Sequence, residues 1–211
     1  MKDNTKTATC GMLLLAAGES ARLGKPKQLL PFKGSTLLRH AAEVALSVHA
    51  ETTVVVLGAY APRMREQIMG MQVDVVMNEH YEQGMASSIT RGLHAMLNSH
   101  PQLEGVLIMV CDQPYVNAVH LRALIERQKV SGAAVVASFY KGRKGVPAFF
   151  HQDIFPELLA LTGDVGARNI IEKYQEKTES VPFPLGDIDI DTPDRYEALM
   201  HQADQGNGIG T

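Results

Sequence analysis

Short apolar runs alternate with amphipathic stretches along most of this chain. The runs are Met12 to Ala17, Thr53 to Leu57, Val73 to Met77, Val106 to Cys111 and Ala133 to Phe139. Continuous apolar runs of this length fit strands covered on both faces, as in a parallel sheet. Between them the apolar positions take helical spacing. Ser35 is placed to cap a helix through His49, with Leu38, Ala41, Ala42, Ala45 and Leu46 on one face. Ala61 to Met69, Ser87 to Leu97 and Ala118 to Lys129 supply further helices. The rhythm predicts an α/β fold with a doubly wound, mostly parallel sheet and right-handed crossovers. In such sheets ligands gather at the carboxyl ends of the strands.

The rhythm changes after about Lys141. Gly142 to Pro147 reads as a turn-rich basic loop, Ala148 to Phe150 as a short strand and Asp164 to Tyr174 as a helix. Val181 to Phe183 and Asp187 to Ile190 read as short strands. A last helix is expected from Pro193, with Thr192 as its N-cap. This part is expected to fold over the site within a single domain spanning 1–211. Its ordered core would be about 10–204, with polar and Gly-rich ends that fray.

The chain has 211 residues, 45% hydrophobic and 20% charged, with a formal net charge of −3. That balance excludes large-scale disorder and the broad positive footprint of a nucleic-acid binder. No apolar run is long enough to span a bilayer, and no secretory signal is read at the N-terminus, so a cytoplasmic protein without membrane contact is expected. Cys10 and Cys111 lack metal or disulfide spacing and are expected to be buried, reduced thiols. The eight histidines form no metal pair at helical spacing, and most are expected to be exposed.

Candidate chemistry concentrates where the first strand ends, in Leu13-Leu-Leu-Ala-Ala-Gly18-Glu-Ser-Ala-Arg22-Leu-Gly24-Lys25-Pro-Lys27. Glycines admit backbone N–H groups close to a phosphate, and Lys and Arg neutralise it, so the segment reads as a triphosphate loop. It is not a Walker A loop, because five residues separate Gly18 from Gly24 and Lys25 is followed by Pro26. Neither is it a dinucleotide fingerprint, since no glycine follows Gly18 until Gly24.

From Leu15 to Lys27 the spacing matches Leu-Ala-Ala-Gly-x-Ser-x-Arg-x-Gly-x-x-Lys. In this the chain resembles the molybdenum cofactor cytidylyltransferase branch of the MobA/MocA-like nucleotidyltransferases. The resemblance runs from Leu13 to about Leu199. It implies a Rossmann-like fold of the nucleotide-diphospho-sugar transferase type and transfer of CMP from CTP to molybdopterin cofactor, with release of pyrophosphate. It further implies Mg²⁺, with Mn²⁺ as the alternative metal, and transient contact with a molybdoenzyme. The Ala-Ala-Gly form is associated with CTP, and an Ala-Gly-Gly form with GTP.

Nucleotidyl transfer must overcome the repulsion between an anionic acceptor and a triphosphate, so it calls for cations and for carboxylates that hold a metal. Asp112, at the tip of a predicted strand, serves equally as a turn cap when read alone. The resemblance assigns it as a metal ligand in Asp-x-Pro, and assigns Asp191 of Asp-Thr-Pro as the second, in preference to Asp189. Lys27 is then expected at the α-phosphate, Arg22 at the β- and γ-phosphates and the Gly18 backbone against the phosphates. Leu15, Ala16 and Ala17 fall beside the base.

Ser87 and Ser88 read locally as helix caps, and Asn78 as the start of an Asx turn. The resemblance adds Gly84 and Ser88 to the nucleotide site. On the acceptor side it assigns Arg168, in Gly-Asp-Val-Gly-Ala-Arg, and Pro147. Val146 departs from the pattern, which has His before this proline. Three other readings follow from the same residues. They are transfer to another phosphorylated small molecule such as a sugar phosphate, a molybdenum-cofactor insertion partner with little turnover, and a flavin- or nicotinamide-dependent reductase on the same scaffold.

Overall fold

The computed structural model describes residues 9–206; the outer parts of both expected frayed ends lie outside that range. Strand β1 (Cys10–Ala16) is buried at every position and lies in the interior of a seven-stranded sheet. It pairs in parallel with β4 (Thr52–Leu57) and β6 (Gly105–Val110), and β4 pairs in parallel with β5 (Asp74–Met77). On the other side β6 meets β8 (Arg143–His151), which is antiparallel to both β6 and β7 (Val135–Tyr140). Strand β9 (Glu179–Pro182) closes that edge in parallel with β7. The order is β5-β4-β1-β6-β8-β7-β9, a mostly parallel sheet, as expected. A separate hairpin of β2 (Pro31–Phe32) and β3 (Ser35–Thr36) follows the segment expected to be the phosphate loop.

The alternation of β1 side chains divides the core in two. Met12, Leu14 and Ala16 pack under α1 (Leu37–Leu46), α2 (Ala61–Gln67) and α4 (Ala118–Ser131). Leu13, Leu15 and Ala17 pack under α3 (Met85–Ser99), α5 (Phe155–Leu159) and α6 (Ala167–Lys173). Each fully buried Leu on these faces contributes about 1.5–3 kcal/mol relative to exposure. A third, smaller cluster joins Leu23 and Leu30 of the phosphate loop to Ile190 and to Leu199 of α7 (Pro193–Gly206). Through this cluster the C-terminal part of the chain is held against the loop.

Several expected boundaries move. Thr36, not Ser35, caps α1: its side chain accepts from Arg39 N, while Ser35 pairs in the hairpin. The helix ends at Leu46, three residues before His49, whose φ of 57° is left-handed. Gly142 to Pro147 is not a loop. A two-residue turn at Lys141 and Gly142, both with positive φ, reverses the chain and β8 begins at Arg143. Its pairing with β7 shifts register between Ala137 and Ser138, which accommodates Pro147 inside the sheet. Helix α6 starts at Ala167 rather than Asp164. Asp187 to Ile190 forms no strand, because its backbone bonds run singly to Leu185 O and Asp112 O and make no ladder. Thr192 does cap the last helix, accepting from Arg195 N at 3.4 Å.

Both cysteines are free and buried, and burial pushes the Cys10 thiol up to about 11 and Cys111 to about 12. Neither is a thiolate nucleophile at neutral pH. Among the described histidines, His49, His80 and His94 are exposed, others are half-buried, and His120 is buried. His120 stacks on Phe183 with centroids 4.3 Å apart, and its Nε2 lies 2.7 Å from Ser138 Oγ. The Ser138 hydroxyl gives its one proton to Pro147 O, which leaves Nε2 as the donor to Ser138 Oγ.

Burial pushes the His120 pKa down from 6.5 to about 4. The unfolded chain therefore takes up a proton in the window where the folded chain does not. This contribution is complete above pH 6.5 and is lost as pH falls from 6.5 towards 4. Urea unfolding at pH 7.5 and pH 5 is expected to differ by about 2 kcal/mol more in the wild type than in His120→Gln. Equal pH dependence in the two proteins would contradict this assignment.

Candidate active site

The phosphate loop leaves β1 at Ala17 and is fixed from within. Gln28 is buried and donates through Nε2 to Ala16 O at 3.2 Å and Gly18 O at 2.7 Å. Its Oε1 accepts from Ser20 Oγ at 3.3 Å, and Ser20 Oγ in turn accepts from Lys27 N. Ser20 and Gly24 take positive φ, which folds the loop back on itself. Gln28 was not among the residues expected at the site. Its signal was a lone amide between the expected cation Lys27 and the apolar Leu29-Leu30.

The loop delivers Lys27 to a pair of carboxylates. Lys27 Nζ lies 2.5 Å from Asp112 Oδ2 and 2.7 Å from Asp191 Oδ1, and Arg22 Nη2 lies 2.8 Å from Asp191 Oδ2. Asp112 follows β6, and Ile190 N donates to Asp112 O, so the backbone itself brings Asp191 beside it. The side chains of Lys27, Asp112 and Asp191 are each less than one-fifth exposed, whereas Arg22 is 73% exposed. Asp189 instead pairs with Arg195, outside this group. Burial alone would lower the Lys27 pKa, but Asp112 and Asp191 outweigh it and hold the ammonium above the usual lysine range. Burial likewise works against ionisation of Asp191, and Lys27 and Arg22 outweigh it, holding that carboxyl below the usual range.

Two cavities meet at Asp112. The first, about 240 Å³, is lined by the expected Leu15, Ala16, Ala17, Gly18, Lys27, Gly84, Ser88 and Asp112, and also by Gln28, Tyr81, Met85 and Asp164 among others. Arg22 stands outside this wall. The second, about 360 Å³, is lined by Tyr140, Arg143, Val146 and Arg168 among others, and shares Leu15, Met85, Val110, Asp112 and Asp164 with the first. A molecule in either cavity therefore reaches the same carboxylate.

Local chemistry shapes the walls. Asn78 closes an Asx turn onto His80 N and donates to both Ser87 Oγ and Ser88 Oγ. Ser87 does not cap the helix; α3 begins at Met85 after Gly84, and the single Ser87 hydroxyl proton has Gly84 O at 2.8 Å and His80 O at 3.0 Å as its acceptors. Gly84 (φ 98°, ψ −179°) lies against the Gly163-Asp164 backbone, joining the two expected motifs face to face. Arg168 borders the second cavity, with its Nε 2.7 Å from Glu172 Oε1. Pro147 does not line either cavity. It is buried in β8 with its carbonyl held by Ser138, and the preceding Val146 faces the second cavity instead. Lys25 is exposed, its ammonium 5.6 Å from the Tyr196 ring centroid.

The sequence from residue 12 to residue 178 matches the MobA-like NTP transferase domain. The chain belongs to that family. Its architecture is the Rossmann-like fold of the nucleotide-diphospho-sugar transferases. Among curated relatives, the purine catabolism protein PucB of Bacillus subtilis is 30% identical over 202 residues, covering 89% of this chain and 94% of PucB. Nicotine blue oxidoreductase of Paenarthrobacter nicotinovorans is 33% identical over 164 residues, 74% of this chain and 78% of that one. A probable molybdenum cofactor guanylyltransferase of Bacillus mycoides is 27% identical, covering 72% and 73%. Among solved structures, the homolog of Mycobacterium tuberculosis Rv0371c from Mycobacterium sp. strain JC1 superposes with a TM-score of 0.82 at 30% identity, covering 94% and 98%. Rv0371c itself, solved in complex with manganese, gives 0.77 at 27% identity, covering 92% and 98%. No helix among the described residues is long and apolar enough to cross a membrane.

Proposed function

We propose that this nucleotidyltransferase-family chain transfers CMP from CTP to molybdopterin cofactor in the cytoplasm, with release of pyrophosphate. One observation carries the reading: Lys27 borders a cavity walled by the phosphate loop, its carboxylate partner Asp112 borders both that cavity and a second one lined by Arg143 and Arg168, and Asp191, which lines neither, bonds to Lys27. A nucleotide in the first and a phosphorylated acceptor in the second would meet at Asp112.

In the reaction an acceptor phosphate oxygen attacks the α-phosphorus, the bond from that phosphorus to the bridging oxygen breaks, and pyrophosphate leaves with the electron pair. No covalent enzyme intermediate is needed. Lys27 is assigned to charge developing on the α-phosphate, Arg22 to the β- and γ-phosphates, and the Gly18 backbone to the same group. Gly84 and Ser88 bound the nucleotide, and Arg168 supplies a forked donor to the acceptor phosphate. The acceptor roles assigned to this region pass from Pro147 to its neighbour Val146, whose side of β8 meets the cavity.

Asp112 and Asp191 are hard oxygen donors suited to Mg²⁺ or Mn²⁺, and a relative of this fold has been solved with manganese. Two carboxylates do not complete a coordination shell. Among the described residues, no group of three or more His, Cys, Asp or Glu is placed to hold an ion. The donor set therefore fits an ion that shares its ligands with phosphate oxygens and water, as Mg²⁺ does in phosphoryl sites. Such an ion supplies charge neutralisation on the phosphates.

Support for CTP rests on Ala17, which is buried at the edge of the nucleotide cavity against Gly58. Relatives named probable molybdenum cofactor guanylyltransferase make GTP the competing nucleotide. Ala17→Gly is expected to move the ratio of kcat/KM for CTP over GTP roughly tenfold towards GTP. An unchanged ratio would reject Ala17 as the selector. A reductase reading is favoured by one observation, the 33% identity to nicotine blue oxidoreductase. A visible absorbance band of bound flavin in the purified protein would support it over the transferase reading.

A further inference from the structure

The reading above assigns Lys27 and Arg22 to the triphosphate, yet both cations are already engaged by the carboxylates assigned to the metal. Lys27 Nζ bonds to Asp112 Oδ2 and Asp191 Oδ1, and Arg22 takes the remaining Asp191 oxygen. Two cations and two carboxylates leave the cluster formally neutral. A divalent ion arriving alone would have to enter beside an ammonium group in a largely buried site, where like charges are weakly screened. Among the described residues, no third His, Cys, Asp or Glu is placed to offset that repulsion.

A triphosphate changes this balance, because it gives Lys27 and Arg22 new anionic partners and brings oxygen ligands of its own. The structure lets Lys27 make the exchange without loss of the loop. The loop is fixed by Gln28 to Ala16 O and Gly18 O, and by the Lys27 main-chain N–H to Ser20 Oγ, none of which involves the ammonium. The flexible four-carbon stem leaves the ammonium able to change partners.

We propose that Lys27 is an internal counter-ion that closes the metal site of the nucleotide-free protein, so that divalent ion and triphosphate bind as coupled ligands. The proposal rests on Asp112 and Asp191 being metal ligands, as assigned above. Coupling is reciprocal, so each ligand strengthens the other by the same factor. Lys27 thus has two roles of opposite sign: it opposes the ion when the nucleotide is absent and stabilises the phosphates when it is present.

The test is Mn²⁺ binding to the full chain, read by the electron paramagnetic resonance of free Mn²⁺ without nucleotide. Lys27→Gln is expected to bind Mn²⁺ at least about tenfold more tightly than the wild type, and the gain should vanish in Lys27→Gln/Asp112→Asn. Calorimetry of α,β-methylene-CTP binding to the wild type, with and without Mn²⁺ and corrected for Mn²⁺ binding by the free analogue, gives the coupling without relying on a variant. A gain of about tenfold or more in analogue affinity with Mn²⁺, lost in Asp112→Asn, supports the metal assignment on which the proposal rests, and absence of any gain overturns the coupling it predicts.

If Lys27→Gln binds Mn²⁺ no more tightly than the wild type while Asp112→Asn still abolishes the coupling, the counter-ion role is wrong and the metal assignment stands. If Asp112→Asn changes Mn²⁺ binding under neither condition, the metal assignment fails and the counter-ion proposal fails with it. Should Lys27→Gln prove unfolded by circular dichroism, Lys27→Met, which keeps the apolar stem and removes the charge, is titrated with Mn²⁺ in its place, and an affinity no tighter than the wild type overturns the proposal.

Discussion

Asp112→Ala is expected to give a folded protein that has lost roughly 10²-fold or more of its turnover, the scale of removing a principal charge-stabilising group. Asp112 lies at the tip of β6, borders both cavities and holds Lys27 at 2.5 Å. Its side chain is not part of the apolar core, and its backbone carbonyl, which accepts from Ile190 N, is kept in the variant. Removing the carboxylate therefore strips the site of one of its two oxygen donors without opening a core cavity. Unfolding curves that match the wild type, with kcat reduced and substrate affinity less affected, would place the loss in the chemical step. Near-normal turnover would refute the role of Asp112.

The second large effect is expected at Gly84. Its φ of 98° and ψ of −179° fall in a region that essentially only glycine occupies, at a cost of about 1–3 kcal/mol for other residues. A Cβ here would also meet Gly163 O at 2.5 Å and Asp164 Cα at 2.6 Å. Both neighbours are backbone, so relief requires the turn before α6 to move away from the turn before α3. Those two turns form one wall of the first cavity, where the proposed function places the nucleotide. Gly84→Ala should lower Tm by roughly 5–10 °C and raise KM for the nucleotide, because Gly84, Asp164 and Met85 would no longer keep their spacing. A variant with wild-type Tm and KM would show that the two turns are not coupled in this way.

How much of this was legible beforehand depended on whether the signal was local. Strands β1, β4, β5, β6 and β7 lie inside the sheet or carry enough apolar residues to read as continuous runs, and each was found to within two residues at either end. Strand β8 was read only in part, because Gly145 and Pro147 look like punctuation. The shift of register beside Pro147 that makes them tolerable exists only once β7 is paired. Asp187-Ile-Asp-Ile190 alternates like a strand, but Ile190 is drawn into the cluster with Leu23, Leu30 and Leu199, and its backbone finds no neighbouring ladder.

The site divides in the same way. The phosphate loop is contiguous, so its residues could be read from spacing, and Lys27, Gly18 and Ala17 do stand together on one cavity. The meeting of Lys27 with Asp191 spans 164 positions and was available only through family resemblance. Gln28 could not be recognised as the internal latch of the loop, since its partners are the carbonyls of Ala16 and Gly18. Nor could the sequence reveal that the Gly163 turn packs against Gly84, because neither turn encodes its neighbour.

The most direct measurement is pyrophosphate release by the purified protein with a divalent metal and molybdopterin cofactor. CTP, GTP and ATP would be compared in parallel, and any dinucleotide product identified by mass. The account predicts metal-dependent release confined to CTP, with a cytosine dinucleotide formed. Absence of release with all three nucleotides would contradict it.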